Sequence, residues 1–462
     1  MPPGLIAVAA LIFLCGGFGE NSGLALLAVL ELVAGAFLLW RPRESPVLLF
    51  IFCFQWLQAS IAIFHANWLG ADVANYSKIQ GSMELAILLS LLSIMVLAIG
   101  MRFGAGSANT KYVEQISAVA LASPVRKLFW LYVYASVASF LALIGAYILQ
   151  TVSQPLLALA SLKWAFYFML AYATFIRSGK ERRYLIVAFM LELMEGLGGY
   201  FADFRTVLFV TICAGVASRV RMSATAVAGL GLLSALTIGL GIAWSAVKID
   251  FRSYVSGGLN AQNLTMSYGD RVVKLYELGN RIDGKALSVG ADALLRRLSY
   301  VEYFGVVLDV VPKYVPYEEG AIWWDAVSRP FMPRLFFPNK QIIDDTKRTN
   351  QFTRGAAGSD RLSSISLGYV AEAYIDFGAY GMMVPIFTFG LLCGQIHRRF
   401  LKSNASRGLL GMGLSTAVLL PTAPLEASIT KTIGGLVVSL VVAGAFALVV
   451  SPRCFPWIRA KV

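Results

Sequence analysis

Apolar residues run through most of this chain in long stretches separated by short polar connectors. A helix needs about 20 mostly apolar residues to cross the hydrocarbon core of a bilayer. The runs near that length predict about twelve transmembrane helices. They lie at residues 4–19, 22–40, 46–66, 84–101, 128–150, 154–176, 183–199, 203–219, 224–247, 366–395, 408–425 and 432–451.

The connectors between these runs alternate in charge, and every second one is basic. Short basic connectors lie on the cytoplasmic side of a membrane. We therefore expect both termini to be cytoplasmic. The basic connectors contain Arg41/Arg43, Arg102 to Lys127, Arg177 to Arg183, Arg219/Arg221, His397 to Arg407 and Arg453 to Lys461.

One connector, residues 248–365, is far longer than a link between two helices requires. It is polar and falls on the extracytoplasmic side, so we expect a folded cap there. The chain then divides into residues 1–247 with spans 1–9, the cap, and residues 366–462 with spans 10–12 and a cytoplasmic tail. Helical spacing of apolar residues predicts an amphipathic helix in the cap, formed by Tyr300, Tyr303, Phe304, Val307, Leu308 and Val311.

Composition supports the membrane assignment, since 58% of the residues are hydrophobic and only 14% are charged. The net charge of +13 follows from the basic connectors, and we expect no nucleic-acid partner. The five cysteines lie in or beside apolar runs and are interpreted as small hydrophobic residues. With only His65 and His397 present, we expect neither a metal site nor a histidine-based triad.

Charged residues in or beside spans are costly and indicate either function or internal ion pairs. Glu372 and Asp376 are four residues apart, so a helix places both carboxylates on one face. Asp203 and Arg205 occupy a comparable position at the start of the eighth span. Function and structural pairing are equally favoured for these two pairs. The complete set is Glu31, Lys163, Glu192, Glu195, Asp203, Arg205, Glu372, Asp376, Glu426 and Lys431.

Two further residue types in the cap allow alternative interpretations. Arginine offers a planar set of donors that suits phosphate oxygens, but most cap arginines are expected to be solvated. Aromatic side chains could stack on sugar rings, yet they also form membrane-interface belts, which we favour. The aromatic residues concerned are Tyr314, Tyr317, Trp323 and Trp324.

Two segments resemble the bacterial oligosaccharide repeat-unit polymerases, also called O-antigen polymerases. These are Arg329-Pro-Phe-Met-Pro-Arg-Leu-Phe-Phe-Pro-Asn-Lys340 and Ser364-Ile-Ser-Leu-Gly-Tyr-Val-Ala-Glu-Ala-Tyr-Ile-Asp-Phe-Gly-Ala-Tyr-Gly381. Phe204-Arg205-Thr206 resembles an arginine motif that those polymerases share with O-antigen ligases. The motifs are degenerate and cover about a fifth of the chain.

The resemblance implies an all-α, GT-C-like membrane protein with a periplasmic cap, located in the bacterial inner membrane. The implied activity is that of an inverting, metal-independent glycosyltransferase without a cofactor. It would move a growing glycan from undecaprenyl diphosphate to a lipid-linked repeat unit. The expected partners are the undecaprenyl-diphosphate-linked oligosaccharide and membrane lipid, and a chain-length regulator is left open.

The resemblance also suggests roles for individual residues. Arg205 is the first choice for binding the diphosphate, with Arg297, Arg334 and Arg361 as helpers. Glu372 or Asp376 would act as the base. The related ligases resemble one another in a His-Asn pair where this chain has Ser364-Ile-Ser, which argues against a ligase.

An O-antigen ligase, and a transporter or flippase of lipid-linked oligosaccharide, are the alternatives. A transporter would show paired broken spans and two related halves, which the sequence lacks. The sugar composition, the linkage, the destination of the polymer and the oligomeric state are left open.

Overall fold

A computed structural model shows an all-helical protein with no β-strand among the residues that it describes. The described residues are 3–77, 79, 81–107, 110–177, 181–197, 205–218, 224–257, 265–333, 336–337, 340–341, 343–358, 364–402 and 408–454. The α-helices are α1 Pro3–Gly16, α2 Ser22–Leu39, α3 Val47–Trp68, α4 Met83–Ala105, α5 Thr110–Ala122, α6 Val125–Ile148, α7 Ser153–Ser161, α8 Lys163–Ile176, α9 Arg182–Leu197, α10 Arg205–Ala217, α11 Ala224–Val255, α12 Tyr268–Asn280, α13 Gly284–Leu298, α14 Glu302–Val310, α15 Ala321–Ser328, α16 Asp345–Thr353, α17 Tyr369–Gly381, α18 Met383–Lys402, α19 Leu409–Leu419, α20 Ile429–Ala445 and α21 Ser451–Cys454. Short 3₁₀ turns lie at Val73–Asn75, Gln150–Val152, Arg329–Phe331 and Leu420–Thr422, and a π-helical turn at Phe446–Val450.

Seven helices among the described residues are long and apolar enough to cross a membrane, or eight if one bent pair forms a single span. The chain is therefore a multi-pass membrane protein. The seven are Ser22–Leu39, Val47–Trp68, Met83–Ala105, Val125–Ile148, Gln150–Ile176, Gly231–Val255 and Ile429–Val450.

The expected count of twelve spans is not confirmed, although a helix lies at each predicted run. The described residues of α1, α9, α10 and α19 number 14, 16, 13 and 11. At 1.5 Å per residue these described stretches are shorter than the hydrocarbon core, which is about 30 Å thick. Apolar composition thus located the helices, and the count of twelve crossings stays a prediction.

The predicted tenth span, residues 366–395, is not one straight helix. It consists of α17 and α18, which meet at an angle of 117°. Inside α17, Gly378 has a φ of 69° and a ψ of −177°, a conformation that is almost restricted to glycine. The first eight residues of α17, Tyr369 to Asp376, are all buried. This part of the chain therefore lies inside the protein and does not face lipid.

Helices α4 and α18 are packed together through two pairs of glycines. A Cβ atom on Gly104 would lie 2.1 Å from the Leu391 carbonyl oxygen, and one on Gly394 would lie 2.2 Å from the Met101 carbonyl oxygen. Gly100 and Gly390 are equally close to the facing backbone, at 2.3 Å in each case. Each helix thus carries a Gly-x-x-x-Gly motif, which allows the backbones of membrane helices to touch.

Three connectors predicted on the cytoplasmic side come together at one end of the bundle. Arg41 donates to the Gly106 carbonyl oxygen at 2.6 Å, and Arg102 donates to the same oxygen at 2.5 Å. Glu44 lies 3.4 Å from the buried His397. These contacts agree with the predicted grouping of the connectors, and they tie the ends of α2, α4 and α18 to one another.

The cap packs against the end of the bundle opposite to these connectors. The Ser82 N–H, just before α4, donates to the Gly305 carbonyl oxygen at 3.1 Å, and the Tyr300 N–H donates to the Gln58 carbonyl oxygen at 3.1 Å. Helix α11 continues through Lys248 to Val255 and packs against α13 of the cap. The predicted amphipathic helix is confirmed as α14, whose Phe304 and Val307 are buried.

Candidate functional site

Arg205 and Arg297, which were selected from distant parts of the sequence, lie near each other in the structure. Arg205 is the first residue of α10 and Arg297 lies in the last turn of α13. Arg297 interacts electrostatically with Arg205, with Arg252 of α11 and with Glu426. Lys248, one turn before Arg252, interacts with both Arg252 and Arg297. These interactions link four cations, Arg205, Lys248, Arg252 and Arg297, with one carboxylate, Glu426. The five residues are called the basic cluster below.

Water reaches the Arg297 side chain although protein lies around it. It is exposed to solvent, yet burial is the largest cause that lowers the pKa of its guanidinium, followed by the positive charge of Arg205. Arg252 acts in the same direction and Glu426 opposes it. A side chain that water reaches while protein surrounds it on several sides is suited to bind a ligand.

Neither Arg205 nor Arg297 forms an ion pair or hydrogen bond with another residue in the described ranges. Like charges at short range repel each other unless an anion lies between them. The proximity of Arg205 and Arg297 is therefore a feature of an anion-binding site. An anion with two adjacent charges, such as a diphosphate, matches a pair of guanidinium groups.

Glu372 is buried and has structural partners. Arg348 Nη1 donates to its Oε1 at 3.0 Å, and the Ile429 backbone N–H donates to its Oε2 at 2.6 Å. Ile429 is the first residue of α20, so the carboxylate caps the positive end of that helix. The structure thus shows the ion pair, which is one of the two alternatives for Glu372. The catalytic alternative stays a prediction.

Asp376 plays the same structural part for a different helix. Its Oδ1 accepts from the Ile322 N–H at 3.2 Å and its Oδ2 from the Trp323 N–H at 2.8 Å, which caps α15. The two carboxylates lie on one helix, as their spacing predicts, but each caps the start of a different helix. No described hydrogen bond or ion pair joins either of them to Arg205 or Arg297.

The described ends of the segment 329–340, which carries part of the family resemblance, are joined by hydrogen bonds. Arg329 pairs with Asp325 at 2.9 Å and donates to the Gln341 carbonyl oxygen at 2.8 Å. Lys340 donates to the carbonyl oxygens of Arg329 at 2.5 Å and Met332 at 2.9 Å. The two basic residues that bound the motif thus hold its ends together.

Several predicted residues lie outside the described ranges. Arg334 and Arg361, the two helper arginines, are among them, as is Asp203. The candidate site is therefore built from Arg205 and Arg297 alone, out of the four arginines that were selected.

Glu426 is the functional candidate that sequence reasoning did not select for the site. It is half-buried in the turn before α20, and Gln58 donates a hydrogen bond to it. The same Gln58 accepts from the Leu425 N–H at 2.7 Å. Glu426 was recognised only as one of ten charges near spans, and a sequence signal that connects it to Arg297, 129 positions earlier, is lacking.

Three other charged side chains form an ion cluster, of which Lys163 and Glu192 are buried and Glu195 is exposed. Lys163 pairs with Glu192 at 2.8 Å and with Glu195 at 3.0 Å, and Tyr132 donates to Glu192 at 2.8 Å. This ion cluster links α6, α8 and α9. It agrees with the structural alternative for intramembrane charges.

His397 lies between Ser415, at 2.8 Å, and Glu44, at 3.4 Å. The order of groups is that of a nucleophilic triad. All three residues are buried, however, and His397 and Ser415 have no exposed surface. We therefore interpret the series as a polar link between the ends of helices.

Comparison with known proteins adds one match. A family described as a domain of unknown function (DUF8712) matches residues 283–412. This region begins at α13 and ends in α19, so it includes Arg297, Glu372 and Asp376 but neither Arg205 nor Glu426. No curated protein and no solved structure matches the chain.

Proposed function

We propose that this chain is a membrane glycosyltransferase that polymerises lipid-linked oligosaccharides. It would transfer a growing glycan from undecaprenyl diphosphate to a lipid-linked repeat unit at the periplasmic face of the bacterial inner membrane. The observation that carries the proposal is the convergence of Arg205 and Arg297 in the basic cluster. The family resemblance supplies the reaction, and the multi-pass helical fold is compatible with a lipid substrate.

The chemistry matches the charges of the cluster. A sugar hydroxyl of the acceptor attacks the anomeric carbon of the donor while the bond from that carbon to the diphosphate oxygen breaks, with inversion. Negative charge grows on the departing diphosphate, and preorganised arginines stabilise it. The hydroxyl proton passes to a carboxylate.

The proposal assigns this carboxylate to Glu426. A base must lie close to the reacting hydroxyl, and Glu426 is the carboxylate whose charge interacts with Arg297. Glu372 and Asp376 remain the candidates for the base that were predicted from the sequence. Both already accept two hydrogen bonds, and taking a proton would weaken these contacts because a neutral carboxyl group is a poorer acceptor than a carboxylate.

The diphosphate assignment is tested with Arg205→Ala and Arg297→Ala, beside Arg281→Ala as control. Arg281 is exposed at the end of α12 and is absent from the charges that interact with Arg297. Loss of one charge-stabilising donor lowers turnover by roughly 100- to 1,000-fold. We expect long-chain glycan to disappear in the first two variants and to persist in the control, measured as the glycan length profile of cells that carry only the variant.

An unchanged length profile in Arg205→Ala and Arg297→Ala would refute the diphosphate assignment. Glu426→Gln and Glu372→Gln distinguish the two base assignments, because only loss of the true base lowers turnover while donor binding is retained. A deletion strain separates the alternative functions. Single repeat units on otherwise normal surface lipid indicate a polymerase, loss of all attached glycan a ligase, and cytoplasmic accumulation of lipid-linked units a flippase.

A further inference from the structure

A short segment of the cap carries six exposed apolar side chains. These are Trp324, Val327, Phe331, Met332, Phe336 and Phe337, called here the outer apolar face. Trp324, Phe331 and Phe336 are each 73% exposed. Contiguous apolar surface of this kind marks a binding site for another apolar surface.

Helix α15, which begins this face, is apolar on two sides. Ile322, Trp323 and Ala326 are buried, whereas Trp324 and Val327 point outward. Its charged residue, Asp325, pairs with Arg329. A helix that is hydrophobic all round belongs in a protein core or in a membrane.

The position of α15 shows whether its exposed apolar side belongs in a protein core or in a membrane. Asp376 caps α15 and Glu372 caps α20, and the two carboxylates are one helical turn apart on α17. The two helices therefore start close together, and α15 and the turn Arg329–Phe331 pack against α20. The span that begins with α20, Ile429–Val450, has 22 residues and is only about long enough to cross the hydrocarbon core.

A helix that packs beside the beginning of such a span lies at the depth of the bilayer, not above it. We infer that the outer apolar face is embedded in the membrane leaflet on the cap side. Its occupant is lipid, in continuity with the lipid-facing surface of α20. Aromatic side chains at this depth are typical of membrane interfaces. The inference does not depend on the proposed reaction.

Trp323 and Trp324 are adjacent in the sequence but differ in exposure. Trp323 is buried, whereas its neighbour Trp324 is largely exposed. Only Trp324 and Tyr314, with Tyr317 partly so, can therefore meet lipid or sugar. Among them Trp324 lies on the outer apolar face, which assigns it to the membrane interface.

The test measures solvent and lipid contact directly. Phe331→Cys and Trp324→Cys are made in a chain whose five native cysteines are replaced, and each is spin-labelled in nanodiscs of phosphatidylethanolamine and phosphatidylglycerol. Lys347→Cys, an exposed position on α16, is the water-facing control. Molecular oxygen concentrates in lipid, whereas a neutral nickel chelate stays in water. We expect the ratio of oxygen to nickel accessibility to be severalfold higher at both test positions than at the control.

Two results would overturn the inference. Nickel accessibility at Phe331 and Trp324 equal to that at Lys347 would place the face in water. Low accessibility to both reagents, together with a dimer in the same nanodiscs, would show that a second copy of the chain covers the face. Both test positions are exposed, so we expect neither substitution to disturb folding. If one variant fails to fold, the other still tests the inference.

Discussion

The contact between α4 and α18 predicts a large effect from a single methyl group. In Gly394→Ala the new Cβ would lie 2.2 Å from the Met101 carbonyl oxygen and 2.6 Å from the Ala105 nitrogen. These neighbours are backbone atoms of a helix, so the two helices must separate. Overpacking of this kind costs about 1–3 kcal/mol.

The helix propensity of alanine opposes this cost. Replacing a helical glycine by alanine gains roughly 0.5–1 kcal/mol where space is available. Gly435 in α20 provides that case, because a Cβ there meets nothing within 4 Å. We therefore expect Gly435→Ala to be neutral or slightly stabilising and Gly394→Ala to be destabilising by up to about 2 kcal/mol after the propensity gain.

The assay is unfolding of the purified protein in mixed micelles with rising fraction of dodecyl sulfate, followed by circular dichroism. The midpoints of Gly394→Ala and Gly435→Ala are compared with that of the unchanged chain. If Gly394→Ala unfolds at the same midpoint as Gly435→Ala, the close approach of α4 and α18 is refuted.

Two further predictions concern buried carboxylates. Glu372→Ala leaves Arg348 without its carboxylate partner and the first N–H of α20 without an acceptor. Breaking a buried pair costs roughly 3–5 kcal/mol. The same unfolding in mixed micelles measures this loss of stability, and an unchanged midpoint contradicts the capping role. At the other end of the bundle, burial acts to raise the pKa of Glu44, but hydrogen bonds and charge from His397 and Arg41 lower it from 4.5 to about 2. Because the pKa is lower in the folded state, this stability is present above pH 4.5 and is lost as the pH falls towards 2. The thermal midpoint should therefore decline over that window less in Glu44→Gln than in the unchanged chain, and parallel declines would exclude Glu44 as the cause.

The positions of helices were predictable because they depend on local composition. Ser22–Leu39, Val47–Trp68 and Met83–Ala105 match their apolar runs within a few residues. The number of crossings is not confirmed, because the length of an apolar run does not fix the length of the helix that forms in it. The break at Gly378 could not be found either, since one glycine in an apolar run looks the same whether it bends the chain or packs against a neighbour.

Residues of the candidate site that are distant in the sequence differ in whether the sequence could identify them. Arg205 and Arg297 were selected by residue type and position, and the structure brings them together. Glu426 was not, because only the fold shows that the turn before α20 lies beside the end of α13. The glycine spacing in α4 and α18 is visible in the sequence, but the sequence does not show which helix each pair faces.

The buried helix α17 has a mechanical consequence for access to the basic cluster. Through Glu372 it holds the first turn of α20, and through Asp376 it holds the first turn of α15. Lifting this side of the cap would expose two carboxylates and break their hydrogen bonds to backbone N–H groups, which is costly. We therefore expect α15, α17 and α20 to move as one rigid body. The described span residues of α11 have little contact with the bundle, so the tail of the proposed lipid substrate would enter more easily beside α11.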